Sequence, residues 1–191
     1  MESKEEVKTE VLAHLTRVFG QPSQVVKAKG GVEVWMWLDP EDTQSGWLCT
    51  VGMSQKEQTV PSGQGCLSKE PRTELFCYCQ PAHAEVLATI LLDLARYPFE
   101  KKTFLFWWQT VSLGRALLPG SSVRGIFLSM PPFDANEVTF SIQGRRIDLV
   151  WVVPVTLSEM DLFASRGAEA LERALEDAEA DVADLFRQTV A

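Results

Sequence analysis

The sequence predicts an α+β fold, a largely antiparallel or mixed sheet of about six strands packed with helices. Apolar residues recur at helical spacing at both ends of the chain and once in the middle, and the stretches between them alternate apolar and polar residues over short runs. Connections are short, and Gln143-Gly144-Arg145 turns one alternating run straight back onto the next, which suits antiparallel neighbours better than a doubly wound parallel sheet. With 191 residues, 46% of them hydrophobic, and no internal repeat or linker-like stretch, the chain reads as one domain, 1–191, with a substantial core.

The first element is a helix over about Lys4 to Phe19, within an N-terminal segment of residues 1–20. Val7, Val11, Leu12, Leu15 and Val18 form its stripe, and Gly20 with Pro22 stops it. Val32 to Leu38 alternates as a strand up to the Asp39-Pro40 turn signal, and Trp47 to Met53 is a second strand. Residues 54–71 are polar and carry Gly63 and Gly65, the composition of a long exposed loop. Arg72 to Cys79 is the third strand. After Pro81, Val86, Leu87, Ile90, Leu91 and Leu94 make a wide apolar stripe on a helix that Pro98 is expected to close.

Val123 to Met130 is a strand stopped by Pro131-Pro132. Val138, Phe140 and Ile142 alternate with Thr139 and Ser141, and the following turn leads into Ile147 to Val153, the clearest hairpin in the chain. The C-terminal segment, 156–189, reads as acidic and helical. Thr156 and Glu159 have capping-box spacing, and Gly167 breaks or kinks the helix. Beyond it Leu171, Leu175, Ala178, Val182 and Leu185 step by three and four as one seam, which packs on the domain or mediates self-association.

The formal net charge of −8 disfavours nucleic acid, whose phosphates need a basic footprint, and suits a basic protein partner. Leu149 to Val155, among the longest apolar runs, is far short of the roughly 20 residues that cross a bilayer. Met1 to Glu10 is charged and lacks the apolar core of a secretory signal, so a cytoplasmic protein with no membrane partner is expected. Cys49, Cys66, Cys77 and Cys79 are therefore expected as free thiols, with Cys77 and Cys79 on one strand face. Cys66, Cys77, Cys79 and His83 can be drawn as a zinc set, but they lack the paired Cys-x-x-Cys elements of structural sites, so no metal is expected.

Nucleophilic catalysis needs a nucleophile, a base and a group that orients the base. Only His14 and His83 are available as imidazoles, and neither lies in a catalytic motif; phosphate-loop, dinucleotide-binding and nucleophile-elbow patterns are lacking too. No catalytic residue and no cofactor is expected. The distinctive feature is aromatic: Tyr97, Phe99, Phe104, Phe106, Trp107 and Trp108 fall within twelve residues. Phe104 and Phe106 are expected in the core. Adjacent Trp107 and Trp108 cannot share one side of a strand, so one points outward, and large aromatics are favoured interface anchors. Trp107, Trp108 and Gln109 are the candidate partner-binding residues.

Several segments together resemble the suppressor-of-fused-like family. They are Trp47 with Val51-Gly52-Met53-Ser54, Arg72-Thr73-Glu74-Leu75, Leu94-Ala95-Arg96-Tyr97-Pro98-Phe99, Leu118-Pro119-Gly120-Ser121, and Val153-Pro154-Val155-Thr156 with Glu159 and the helix from Gly167 to Leu175. They span roughly Gly30 to Ala178. The resemblance implies an α+β protein-binding domain. The animal relative has a second domain and restrains Hedgehog-pathway transcription factors, whereas short bacterial forms are associated with immunity to polymorphic toxins. It implies here a cytoplasmic immunity protein that neutralises a cognate toxin; a regulatory or scaffold protein with an endogenous partner is the alternative, and an uncharacterised enzyme a third reading. One departure stands out. Trp107-Trp108-Gln109 occupies the stretch where the animal protein carries Gly-Asp-His, so an acidic group used there for a partner is absent and the animal binding mode does not carry over with it.

Overall fold

The computed structural model describes residues 4–66 and 68–191. Helix α1 (Lys4–Phe19) buries Val7, Val11 and Leu15, one residue per turn, with Glu5 and Glu6 at its positive end and Arg17 at its negative end. Strands β1 (Gln24–Lys29), β2 (Val32–Leu38), β3 (Gly46–Val51) and β4 (Thr73–Cys79) follow. Helix α2 (Ala84–Lys101) leads to β5 (Gln109–Ser112) and β6 (Val123–Ser129). A single helical turn, α3 (Ala135–Val138), precedes β7 (Thr139–Ile142) and the long β8 (Arg145–Thr156), and α4 (Leu157–Arg166) and α5 (Ala168–Asp177) end the regular structure.

The strands form one sheet of eight in the order β1-β2-β3-β4-β8-β6-β5, with β7 also paired to β8. Every pair is antiparallel except β4 with β8. The fold is α+β with a mixed sheet, and two strands exceed the expected six. Both lie at the edges: β1 is exposed along almost its whole length and so lacks an alternating burial signal, and β5 has four residues.

Helix α2 covers one face of the sheet, packing Leu87, Leu91 and Leu94 onto Leu48, Leu75, Ile126 and Val150. The opposite face is shared. Helix α1 lies over Trp37, Cys49, Phe76 and Leu149, while α4 and α5 lie over Phe127, Val153 and Val155. The β7–β8 hairpin closes through Gln143 and Gly144, both at positive φ, the two-residue turn whose twist matches that of the strands.

Strand β8 changes partner along one edge. Residues 145–148 pair with β7 and residues 151–156 with β6, leaving a fork at Leu149 and Val150. Pro154 is tolerated in this strand because its pairing with β4 stops at Trp151. Its carbonyl points outward to the Arg187 Nη2, so its missing N–H falls on an edge with no ladder.

Three local expectations are corrected. Pro98 does not close α2 but sits in its last turn, and the helix runs three residues further to Lys101, where Lys102, left-handed with φ 52°, caps it. The 54–71 loop is exposed over Ser62–Gly65 but pinned by buried Gln58, whose Nε2 donates to the Thr73 hydroxyl at 2.7 Å and whose Oε1 accepts from the Leu105 amide at 2.7 Å. The C-terminal helix does not reach residue 189. Glu179 adopts a left-handed φ of 46°, and the Ala180 amide closes back on the Leu175 carbonyl at 3.0 Å, a Schellman stop made without glycine. The carboxylates of Asp181 and Asp184 then take backbone amides two residues on, which favours turns. Hence the expected seam divides: Leu171, Leu175 and Val182 stay on the α4–α5 face, while Leu185 is buried in the α2 core on the other side of the sheet.

Candidate functional site

The aromatic segment is not a strand where its core residues lie. Residues 103–106 have no regular secondary structure, and Phe104, Leu105 and Phe106 are buried consecutively within that irregular stretch. Gln109 holds the turn that follows, its Oε1 accepting from the Phe106 amide at 3.1 Å. Trp107 is half-buried against the α2 core, and its indole N–H donates to the Leu149 carbonyl at 2.8 Å. That carbonyl lies in the fork where β7 has ended and β6 has not begun, so Trp107 satisfies a strand acceptor that no backbone reaches. Trp108 differs. Its amide donates to the Leu128 carbonyl at 2.6 Å, its φ is 62°, and its side chain is 43% exposed. The structure thus separates the three candidates: Trp107 and Gln109 hold framework, and Trp108 faces outward.

This assignment predicts a difference in stability. Trp107→Ala loses packing and strands a buried carbonyl, and should cost about 3 kcal/mol in urea unfolding. Trp108→Ala should stay within about 0.5–1 kcal/mol of the parent. Equal losses for the two would mean that both are structural.

Beside Trp108, β5 ends the sheet. The Leu113 amide donates to the Arg124 carbonyl at 2.9 Å, so Gln109 and Val111, in the same phase, turn their backbone groups to β6. Thr110 and Ser112 turn theirs to the open edge. The far end of the seven-strand path is guarded: β1 carries Lys27 and Lys29 and a register shift between Val25 and Lys27, devices that discourage a further strand. Strand β5, Gln-Thr-Val-Ser, has neither charge nor irregularity. Between it and α2 runs a groove of about 390 Å³, walled by Val86, Ile90 and Tyr97 on the helix and by Val111, Leu113 and Leu117 opposite. Asp93 and Arg115 stand on its lining, and Tyr97 is 39% exposed. An added strand here would bond to the edge through its backbone and place alternate side chains in the groove.

The titratable groups singled out in the sequence have structural surroundings. His14 stacks on Phe140 with ring centres 3.7 Å apart, and burial lowers its pKa. Cys77 and Cys79 share the α2 face as expected; burial pushes both thiols up, that of Cys79 to about 12. Among the described residues, no three His, Cys, Asp or Glu side chains stand together in a way that would hold a metal ion.

Two of the segments that carry the family resemblance prove to be one structure. Fully buried Glu74 on β4 accepts from the Thr50 hydroxyl at 2.7 Å, the Gly52, Met53 and Ser54 amides at 2.9, 3.3 and 3.0 Å, and the Ser54 hydroxyl at 2.6 Å. Gly52 is required twice, by its φ of 112° and because a Cβ would lie 2.7 Å from the Gly31 carbonyl oxygen. Burial raises the Glu74 carboxyl, and the Ser54 and Thr50 hydroxyls pull against that rise. Apart from its place in the resembling segment Arg72–Leu75, the sequence signal for this glutamate is a lone charge in a mostly apolar strand.

The comparisons agree with this architecture. The family model described as suppressor of fused protein (SUFU) matches residues 29–188. Among curated proteins no match is found. The 1.40 Å crystal structure of a SUFU homologue from Neisseria gonorrhoeae FA 1090 superposes with a TM-score of 0.67 at 20% identity, covering 98% of each chain. A Sufu–Fu complex structure gives 0.71 at 14% identity over 96% of this chain and 92% of the other. The Drosophila Suppressor of Fused gives 0.65 at 14% identity, covering 94% of this chain and 50% of the fly protein. At these identities the likeness shows the fold.

Proposed function

Because the chain belongs to the suppressor of fused protein family, we propose that it is a non-enzymatic protein-binding domain that docks its partner along β5 and the adjoining α2 groove. The observation that carries this reading is the contrast between the two ends of the seven-strand path, β1 lysine-guarded and bulged, β5 uncharged, regular, and flanked by exposed Trp108 and Tyr97 beside the α2 groove. Exposed aromatics at a groove supply anchoring area at small entropic cost. A structural relative was solved as a complex of Sufu with Fu, which supports protein binding as the kind of function.

The partner in this reading is a cognate bacterial toxin, held and neutralised in the cytoplasm by a short immunity protein. The gonococcal homologue of matching extent supports the short bacterial form, and the net charge of −8 suits a basic partner. No helix among the described residues is long and apolar enough to cross a membrane. A regulatory or scaffold role with an endogenous partner is the second reading, and it uses the same surface.

Co-expression with the toxin-like product of a gene adjacent to its own tests the reading. The parent chain should form a complex and protect the host. Thr110→Pro removes an outward N–H from an edge strand, where proline is tolerated, and should weaken the complex by about tenfold or more. Neither complex nor protection, together with capture of a purified endogenous regulator, would move the assignment to the scaffold reading.

A further inference from the structure

A second concavity lies on the face of the sheet opposite the α2 groove. It has a volume of about 310 Å³. Its floor is apolar and aromatic: Tyr78 and Trp151 meet edge to face with ring centres 5.6 Å apart, beside Phe127 and Val153. Leu175 of α5 and Val182 of the tail form the far wall. Trp151 also carries a buried indole N–H with no acceptor, a donor that native interiors seldom leave unused.

The rim is charged with one sign. Glu172, Glu176 and Glu179 border the concavity, and no lysine or arginine lines it. The Ser129 hydroxyl donates to Glu172 at 2.6 Å and holds that carboxylate over the floor, while Glu176 and Glu179 are exposed. These acids stand at the wrong end of their helix. The C-terminus of α5 is the negative pole of its backbone dipole, where basic residues are favoured, yet its last turn contains none. Glu176 and Asp177 therefore add negative charge to a negative pole, and Glu179 follows in the terminating turn. Local rules broken in this way concentrate at functional sites. A cation at this rim is attracted by the carboxylates and by the helix end together.

We infer that this concavity is a binding site for a basic segment of a partner protein, which inserts an apolar side chain onto Tyr78 and Trp151 and sets a lysine or arginine against Glu172, Glu176 and Glu179. The inference is separate from the β5 edge: the two surfaces lie on opposite faces of the sheet, and this one recognises charge and an anchor where the other recognises an extended backbone.

The test uses the whole chain and a fluorescein-labelled helical peptide of leucine and lysine, with a leucine–glutamate peptide as its counterpart. Anisotropy at low salt gives affinity, and the Trp151 indole N–H resonance, assigned by its loss in Trp151→Phe, reports where the peptide sits. The basic peptide should bind and shift that resonance, and the acidic one should do neither. Glu176→Lys/Glu179→Lys should weaken binding about tenfold or more without lowering thermal stability, since it places cations at the helix C-terminus. Glu41→Lys/Glu70→Lys makes the same charge change at exposed positions elsewhere and should alter affinity no more than about twofold. Thr110→Pro should leave binding unchanged. Failure of the basic peptide to bind, an equal loss in the Glu41/Glu70 variant, or binding that leaves the Trp151 resonance in place would each overturn the inference. Loss on Thr110→Pro alone would assign the peptide to the β5 edge instead.

Discussion

Glu74→Ala is expected to destabilise the fold by about 4 kcal/mol or more, measured as a lower urea midpoint with an unchanged slope. The substitution removes one carboxylate and strands the amides of Gly52, Met53 and Ser54 together with the hydroxyls of Thr50 and Ser54, in a region closed to water. Each buried donor left without a partner costs about 1–3 kcal/mol, and the turn after β3 is held at this point by that carboxylate. Glu74→Gln should lose less, about 2 kcal/mol, because one amide oxygen still accepts while its NH₂ group faces donors. A loss below about 1 kcal/mol for the alanine variant would show that the turn forms without its acceptor.

Arg187→Ala is expected to cost about 3–5 kcal/mol, because it leaves a buried carboxylate without its counter-charge. Arg187 and Glu159 are 6% and 0% exposed at the side chain, and the guanidinium spans both carboxylate oxygens at 2.6 and 2.7 Å. Glu159 also takes the amides of Thr156 at 2.9 Å and Val190 at 3.1 Å, so one carboxylate joins the start of α4 to the C-terminal tail. Burial alone would raise the Glu159 carboxyl, but the Arg187 guanidinium and the Thr156 amide hold it below the ordinary value of 4.5. The sign follows from that depression: the stability Glu159 contributes is present above about pH 4.5 and is lost as pH falls through its folded value. The gap between parent and Arg187→Ala should therefore be widest at neutral pH and narrow in acid. A gap that widens on acidification would contradict the pairing.

Local chemistry was legible in the sequence, and contacts between distant segments were not. Helix α1 and strand β2 begin and end where Lys4, Phe19, Val32 and Leu38 place them, because burial repeats every three to four residues in one and every two in the other. The capping box at Thr156 and Glu159 is present, yet its second role as the Arg187 counter-ion joins residues 28 apart, a spacing with no local signature. Trp107 and Trp108 are equivalent as neighbours in sequence. What separates them is the β7–β6 fork on β8, an arrangement of strands that no motif encodes. Leu185 matches the helical seam by spacing and leaves it because the aspartate-rich tail turns instead. Strand β5, the proposed docking edge, was hidden for a related reason: four half-polar residues carry too short a pattern to stand out.

The family segments were recognisable before their purpose was. Leu118-Pro119-Gly120-Ser121 serves the same tail, with the Ser121 hydroxyl donating to the Leu185 carbonyl at 2.5 Å and Gly120 at a φ of 82°. In the Leu94–Phe99 segment, Leu94, Ala95 and Pro98 are buried while Tyr97 is presented to the groove. Much of the recognisable pattern therefore maintains the framework, as do Trp107 and Gln109, which leaves exposed Trp108 as the member of Trp107-Trp108-Gln109 that can change without loss of the fold.

A partner strand added to β5, as proposed, would be read out by amide hydrogen exchange in the complex with that partner. The Thr110 and Ser112 amides, which face the open edge in the free chain, should exchange rapidly alone and slow by about a hundredfold or more in the complex. Protection appearing elsewhere while Thr110 and Ser112 continue to exchange at their free rate would contradict it.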